Sequence, residues 1–364
     1  FRLTHGAMKT RFAVPGALAS LGAFALAVAS AQAASWKDVE TYSDIRKPID
    51  LAKLAKGEIL GERIQVPSTP LGISVQTCYL VGAPPAQVLS RMQDDQTSEK
   101  VKGSKDFDKE GTFRINMPAQ AADFVPLSLD PGLRQVKSLL EHAIEADSRM
   151  GKLNLTADEA KSLAGALREI GSAHGKDWMK AGRDKIEETF RALLLGRASR
   201  FQQGGLSTIV AYDTGSGHIS PKDELLMMTR SRAKAFERFS ALFDAALSGQ
   251  APAGATSPPR YYWESAKVQG EETFNLGAFF ARPTDGGFRA LEVQYYVSSK
   301  YYTSLILYEL WPVEFGGEAQ TLVWRADFVS APSLPFLKGI ERLAAENIML
   351  LEVKKSVGAF IKEF

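Results

Sequence analysis

The C-terminal third of the chain alternates apolar and polar residues with the period of two that is typical of β-strands. Five such segments follow one another, separated by short turns. They are 260–269, 273–283, 289–297, 301–314 and 320–330. Short turns join antiparallel neighbours, so these segments predict an antiparallel meander.

The fourth of these strands predicts that the sheet is covered on both sides. Residues 301–311 place apolar side chains on both faces, whereas a sheet with one solvated face would alternate cleanly. A helical pattern follows from Ser333 almost to Phe364. Its apolar stripe is expected to cover one face of the sheet. The stripe consists of Leu337, Ile340, Ala344, Ile348 and Leu351.

The middle of the chain is predicted to be mostly helical, from about residue 130 to 250. Thr156 and Glu159 have capping-box spacing and mark the start of one helix. Residues 223–247 have the periodicity of a single long helix, and the proline- and glycine-rich segment 251–259 reads as a linker. The predicted fold class is therefore α+β.

The N-terminus has the organisation of a secretory signal peptide. Met8 is followed by Lys9 and Arg11, by a run of small apolar residues, and by the A-x-A site Ala31–Ala33. The residues before Met8 are expected to precede the native start, so residues 1–33 are left out of the predicted fold. A retained membrane helix is the alternative, and the small residues and missing basic flank argue against it. We expect a periplasmic or secreted protein.

Charge and cysteine content exclude some classes of function. Without Arg2, Lys9 and Arg11, the 44 basic residues of the chain become 41, against 42 acidic ones. A near-neutral chain lacks the basic footprint of a nucleic-acid-binding protein, so no nucleic-acid partner is expected. Cys78 is the only cysteine and lies in a predicted strand, which indicates a buried thiol and no internal disulfide.

Two parts of the chain together resemble a known superfamily. The segment ISVQTCYLVGAPPAQVLSRM, residues 73–92, combines a strand, a proline turn and a short helix. With the strands and terminal helix of residues 260–364, it resembles the START-like helix-grip superfamily. This resemblance implies a curved antiparallel sheet that grips a long C-terminal helix, with a lipid, sterol or other apolar ligand between them. The matching pieces cover less than half of residues 34–364, and the helical segment 130–250 would be an insertion or subdomain.

Aromatic residues of the predicted strands are the candidate ligand-binding residues, because tyrosine and tryptophan combine an apolar body with a polar tip. These candidates are Tyr295, Tyr296, Tyr302, Tyr308, Trp311 and Trp324. Ordinary sheet packing is the alternative role for each of them. Glu309 and Arg325 complete the set, because they could approach each other across a hairpin, either as a structural ion pair or as a polar contact for a ligand. Arg325 and Asp327 are expected on one face.

Catalytic and metal-binding motifs are absent from the sequence. There is no H-E-x-x-H, no G-x-S-x-G and no phosphate-binding loop, so we expect no catalytic residue, metal site or cofactor. The favoured hypothesis is a soluble exported protein that binds a hydrophobic small molecule or lipid. An enzyme using Glu309 or a tyrosine as acid or base, and a cell-envelope interaction module, are the alternatives. The basic amphipathic pattern of residues 223–247 leaves peripheral membrane contact open, although core packing is favoured.

Overall fold

An eight-stranded antiparallel sheet lies at the centre of the part of the chain that the structure describes. The structure is a computed structural model, and it describes residues 35–43, 45–66, 69–94, 107–128, 153–174, 178–214, 217–230 and 233–364. The strands are β1 (Leu60–Ile64), β2 (Gly72–Val81), β3 (Phe107–Ile115), β4 (Tyr212–Asp213), β5 (His218–Ile219), β6 (Arg260–Val268), β7 (Glu271–Thr284), β8 (Gly287–Val297), β9 (Thr303–Phe315) and β10 (Glu318–Ser330). The large sheet has the order β1-β2-β10-β9-β8-β7-β6-β3, and β4 pairs with β5.

Helices precede, interrupt and follow this sheet. They are α1 (Val39–Tyr42), α2 (Leu51–Leu54), α3 (Pro85–Asp94), α4 (Ala157–His174), α5 (Trp178–Gly204), α6 (Pro221–Arg230), α7 (Ala233–Arg238), α8 (Ser240–Ser248) and α9 (Ile340–Ile361). The predicted fold class is confirmed: the chain is α+β, with an antiparallel sheet, a helical middle segment and a C-terminal helix. None of the helices within the described ranges is both long and apolar enough to cross a bilayer.

The predicted meander is confirmed as β6 to β10, in which each strand pairs with the next in antiparallel register. The predicted strand at residues 73–81 is β2, and it closes onto β10. Strands β1 and β3 were not predicted. β1 is short, and in β3 the sequence Lys109-Glu110-Gly111 interrupts the alternation where the pairing with β6 shifts register.

Each face of the sheet packs against its own set of helices. One face, here called the central-helix face, shares a hydrophobic core with α4, α5, α6 and α8. On β9 it carries Leu305, Leu307 and Trp311. The opposite face, here called the C-terminal-helix face, packs against α3 and α9, and on β9 it carries Tyr308 and Leu310. Both faces are covered, as the fourth predicted strand indicated.

The C-terminal helix turns a different side to the sheet from the one predicted. Val353 and Val357 are buried against the sheet, whereas Ile340 is 84% exposed, Ile348 49% and Leu351 58%. Apolar residues occupy more than one side of this helix, so periodicity alone selected the wrong stripe. The helix is also shorter than predicted, with 22 residues. It begins after Gly339, which adopts a positive φ of 49°.

The single long helix predicted over residues 223–247 is wrong, because the described residues form α6, α7 and α8. Phe239 separates α7 from α8 with a non-helical ψ of 9°. Phe239, Leu242 and Phe243 are buried in the core of the central-helix face, which is the packing role that the sequence favoured. The predicted helix around residues 133–147 and the predicted signal peptide at residues 1–33 lie outside the described residues. Residues Ala34–Phe364 form one compact unit.

Candidate functional site

The candidate residues from the sequence are divided between the two faces of the sheet. Tyr295, Tyr296, Tyr302, Trp311 and Trp324 belong to the core of the central-helix face. Tyr308 belongs to the core of the C-terminal-helix face, and the Arg325 guanidinium lies 5.5 Å from its ring centroid. The structure therefore does not bring the candidates together around one space between the sheet and α9.

A β-bulge explains why two successive tyrosines share the central-helix face. The register between β7 and β8 shifts so that Leu276 pairs with Tyr296 and Gly277 pairs with Gln294, which leaves Tyr295 unpaired between them. A bulge residue breaks the strict alternation of sides. Tyr295 stacks on Phe201 of α5 with ring centroids 3.8 Å apart. Both tyrosine rings are consequently part of the packing between the sheet and the central helices.

On the other face, the polar groups near Tyr308 satisfy one another. The Tyr308 hydroxyl donates to Glu292 at 3.3 Å, and the Tyr262 hydroxyl donates to the other carboxylate oxygen at 2.6 Å. Arg325 binds Asp327 through two nitrogens, at 2.6 Å and 2.9 Å. The prediction that Arg325 and Asp327 share a face is thus confirmed.

The predicted contact between Glu309 and Arg325 is wrong. In the pairing of β9 with β10, Glu309 lies opposite Trp324, and Arg325 lies opposite Tyr308, so the two charges point to different faces. Glu309 lies on the central-helix face, where its cross-strand neighbour on β8 is Arg289. Arg289 was not predicted as this partner.

Glu309 is the centre of a buried ionic cluster. Its side chain is 1% exposed, and its carboxylate accepts Arg289 Nε at 2.7 Å and Arg238 Nε at 2.8 and 3.0 Å. Tyr42 donates its hydroxyl to the same carboxylate. Burial and the neighbouring carboxylate raise the pKa of Tyr42 well above its ordinary value. Burial acts to lower the pKa of Arg238, but Glu309 outweighs it, and the pKa is raised.

A partly open cavity of about 350 Å³ lies between α4 and α5 on the central-helix side. Its exposed walls are mostly apolar, although four of its eight lining side chains are polar. The lining residues are Leu155, Asp158, Glu159, Ser162, Leu163, Thr189, Phe190 and Leu193. Phe190 also packs on Phe274 of β7, with ring centroids 5.3 Å apart, so the cavity lies close to the sheet. Known ligand pockets combine this size range with apolar walls and a few oriented polar groups.

Glu159 connects this cavity to a buried arginine. The predicted capping box is confirmed, since Thr156 N donates to Glu159 at 2.8 Å and Glu159 N donates to Thr156 Oγ at 3.2 Å. The same carboxylate accepts Arg197 Nη2 at 2.7 Å, and Arg197 is only 3% exposed. The Arg197 guanidinium lies over the Tyr296 ring, 4.3 Å from its centroid.

Some polar groups in this region have no hydrogen-bond partner among the described residues. They are Nε and Nη1 of Arg197 and the hydroxyls of Tyr295 and Tyr296. Burial raises the pKa of both tyrosines, so their hydroxyls stay protonated donors at neutral pH. Buried polar atoms without partners are uncommon in native proteins, because each costs about 1–3 kcal/mol of desolvation. Arg197 binds the cavity-lining residue Glu159, so a buried guanidinium with two unpartnered nitrogens lies next to the cavity, and we take this region as the candidate site.

Comparison with known proteins identifies no relative. No protein-family model matches the chain, and no curated protein or solved structure matches it either. Among the side chains that the structure describes, no group of three or more metal-ligating residues is close enough together to hold a metal ion.

Proposed function

We propose that this protein binds a hydrophobic small molecule, such as a lipid or sterol-like compound, in the cavity between α4 and α5. The observation that carries the proposal is the cavity itself, whose exposed walls are mostly apolar. The proposed site differs from the one implied by the START-like resemblance, which lies between the sheet and the C-terminal helix. If residues 1–33 act as an export signal, binding takes place in the periplasm or outside the cell.

The polar side chains of the cavity favour one class of ligand head group. Asp158 and Glu159 are hydrogen-bond acceptors, and Glu159 is already neutralised by Arg197. A ligand hydroxyl or amine can donate to Asp158, whereas a ligand carboxylate would be repelled by it. We therefore expect an apolar alcohol or amine to bind more tightly than the fatty acid of equal chain length.

The enzyme alternative that relied on Glu309 is not supported by its surroundings. A general base has to accept a proton from a substrate within hydrogen-bond reach. Two arginines and one tyrosine already occupy the Glu309 carboxylate. Proton transfer to it would sacrifice these ion pairs, so binding without acid–base chemistry at Glu309 is the better proposal.

The experiment is ligand binding to the purified full chain. Native mass spectrometry and solvent extraction test for a co-purified lipid, and displacement of a fluorescent apolar probe by dodecanol or dodecanoate tests the head-group preference. Ser162→Trp places a large ring at the cavity, and we expect at least tenfold weaker binding, about 1.4 kcal/mol. Lys161→Trp is the matched control, because Lys161 is also exposed on α4 but does not line the cavity.

Two results would contradict the proposal. One is a chain that purifies without a lipid and does not bind the apolar probe. The other is equal probe binding by Ser162→Trp and Lys161→Trp, since a ligand in this cavity has to contact residue 162. Tighter binding of dodecanoate than of dodecanol would agree with binding in the cavity but would refute the role given to Asp158.

A further inference from the structure

A second depression, separate from the apolar cavity, opens beside the Glu309 cluster. It is wide, open to solvent and mostly polar, with a volume of about 670 Å³. Its lining residues are Thr41, Tyr42, Lys234, Glu237, Arg238, Ser240, Arg282 and Arg289. Of these residues, Lys234 and Arg238 belong to the basic amphipathic pattern of residues 223–247, and none was among the predicted ligand-binding residues.

The charge of this depression is strongly unbalanced. Four of its side chains are cationic, namely Lys234, Arg238, Arg282 and Arg289, whereas Glu237 is the one anionic residue among those that line it. Adding the buried Glu309 leaves two positive charges in excess, and Asp38, which also interacts electrostatically with Arg238, lowers the excess to about one. Residues 34–364 are close to neutral overall, with 41 basic and 42 acidic side chains. The excess is therefore a local property of this surface.

Arg238 and Arg289 are fixed in place by Glu309. Each of them donates its Nε to the carboxylate, and Arg289 Nη1 also donates to the backbone oxygen of Arg238 at 3.2 Å. The Arg238 guanidinium lies near two aromatic rings, 4.5 Å from the Tyr42 centroid and 5.3 Å from the Trp311 centroid. Its Nη2 is buried and lacks a partner among the described residues. Two guanidinium groups are thus held rigidly at the floor of the depression.

Arg282 has no such compensating carboxylate in the ion pairs of the described residues. It lies directly opposite Arg289 in the pairing of β7 with β8, and like charges at directly opposed positions are destabilising. Glu309 lies opposite Arg289 on the other side, so Arg289 is the member of this pair that is neutralised. Arg282 Nε is buried without a hydrogen-bond partner within the described ranges. An anion in the depression would offset this remaining charge.

We infer that the depression binds a phosphoryl group. A phosphate carries about two negative charges at neutral pH, which is enough to neutralise the remaining positive charge. Its oxygens can accept forked hydrogen bonds from guanidinium groups, the geometry in which arginine binds phosphate most strongly. Ser240 adds a hydroxyl donor to the lining of the depression. The phosphoryl group can belong to a soluble phosphate compound or to the head group of a phospholipid.

The test uses the full chain and two probes. Calorimetric titration with inorganic phosphate at low ionic strength tests the soluble source. Co-sedimentation with phosphatidylcholine vesicles, with and without phosphatidic acid, tests the lipid source. We expect saturable binding to phosphate, to phosphatidic acid vesicles or to both, and at least tenfold weaker binding by Arg282→Gln. Arg200→Gln is the control, because it removes an equal charge from an exposed position on α5.

Thermal unfolding gives an independent readout. In phosphate-free buffer, Arg282→Gln should melt at the same temperature as the unchanged chain or higher, because it removes repulsion from Arg289. Added phosphate should raise the melting temperature of the unchanged chain but not that of Arg282→Gln. Phosphate binding without vesicle binding assigns a soluble ligand, and the reverse assigns a phospholipid. Absence of binding to both probes, or equal binding by Arg282→Gln and the unchanged chain, would overturn the inference.

Discussion

Removal of the Glu309 charge should destabilise the protein substantially. Glu309→Gln keeps the shape of the side chain but leaves Arg238 and Arg289 without their shared anion. Breaking a buried ion pair by removing one partner costs about 3–5 kcal/mol. The two arginine side chains are 20% and 18% exposed, so water offsets part of this cost. We expect a loss near the lower end, about 3 kcal/mol in the free energy of unfolding.

The assay is urea-induced unfolding of the full chain at pH 7, followed by far-ultraviolet circular dichroism. Glu314→Gln is the control, since Glu314 is exposed on the same strand, and it should change the free energy of unfolding by less than about 0.5 kcal/mol. A triple variant with methionine at positions 238, 289 and 309 should be less destabilised than Glu309→Gln, because it leaves no unpaired charge. A loss below about 1 kcal/mol for Glu309→Gln is typical of an exposed ion pair and would refute this reasoning.

Two further predictions follow from burial. Burial raises the pKa of all ten tyrosines above the ordinary value of 10, that of Tyr261 to about 12. The neutral phenols contribute their full stability to the fold below pH 10. This contribution is lost as the pH rises through the raised pKa values of the folded chain. Phenolate absorbance should therefore rise together with the loss of circular dichroism, and reversible tyrosine ionisation near pH 10 in the folded chain would contradict this. Val357→Ala should cost about 2 kcal/mol in urea unfolding, whereas Ile340→Ala should cost less than about 0.5 kcal/mol. A larger loss for Ile340→Ala than for Val357→Ala would instead support the helix face that the sequence predicted.

The strands after the linker were predictable because alternation and turn residues occur together there. Each predicted strand is bounded by a short polar or glycine-containing turn, and the observed strands agree with the predictions within a few residues. The side of α9 that packs against the sheet was not predictable in the same way. Ile340, Ile348, Val353 and Val357 are all apolar, and only tertiary packing decides which of them meets the sheet.

The partner of Glu309 could have been found from the predicted turns. Arg289 and Glu309 lie at equal distances from Ser299, the middle of the predicted turn at 298–300, so a regular hairpin places them opposite each other. The same reasoning applied to the turn after β9 places Trp324 opposite Glu309 and excludes Arg325. Tyr42 and Arg238 could not be found this way. They are 267 and 71 residues away in sequence and meet Glu309 only through the packing of helices on the sheet.

Buried polar atoms without a partner among the described residues occur on both faces of the sheet, for example Thr77 Oγ1 on the C-terminal-helix face and the Tyr296 hydroxyl on the central-helix face. On the C-terminal-helix face, Tyr308 and Tyr262 share one carboxylate, that of Glu292. On the central-helix face, the hydroxyl of Tyr296 and two nitrogens of Arg197 have no partner in the described part of the chain. A sequence that needed only a core there could place apolar side chains at these positions at lower cost. The central-helix side differs in having a cavity beside such groups, because Arg197 binds the cavity-lining residue Glu159, and this favours the cavity between α4 and α5 over the space beneath α9.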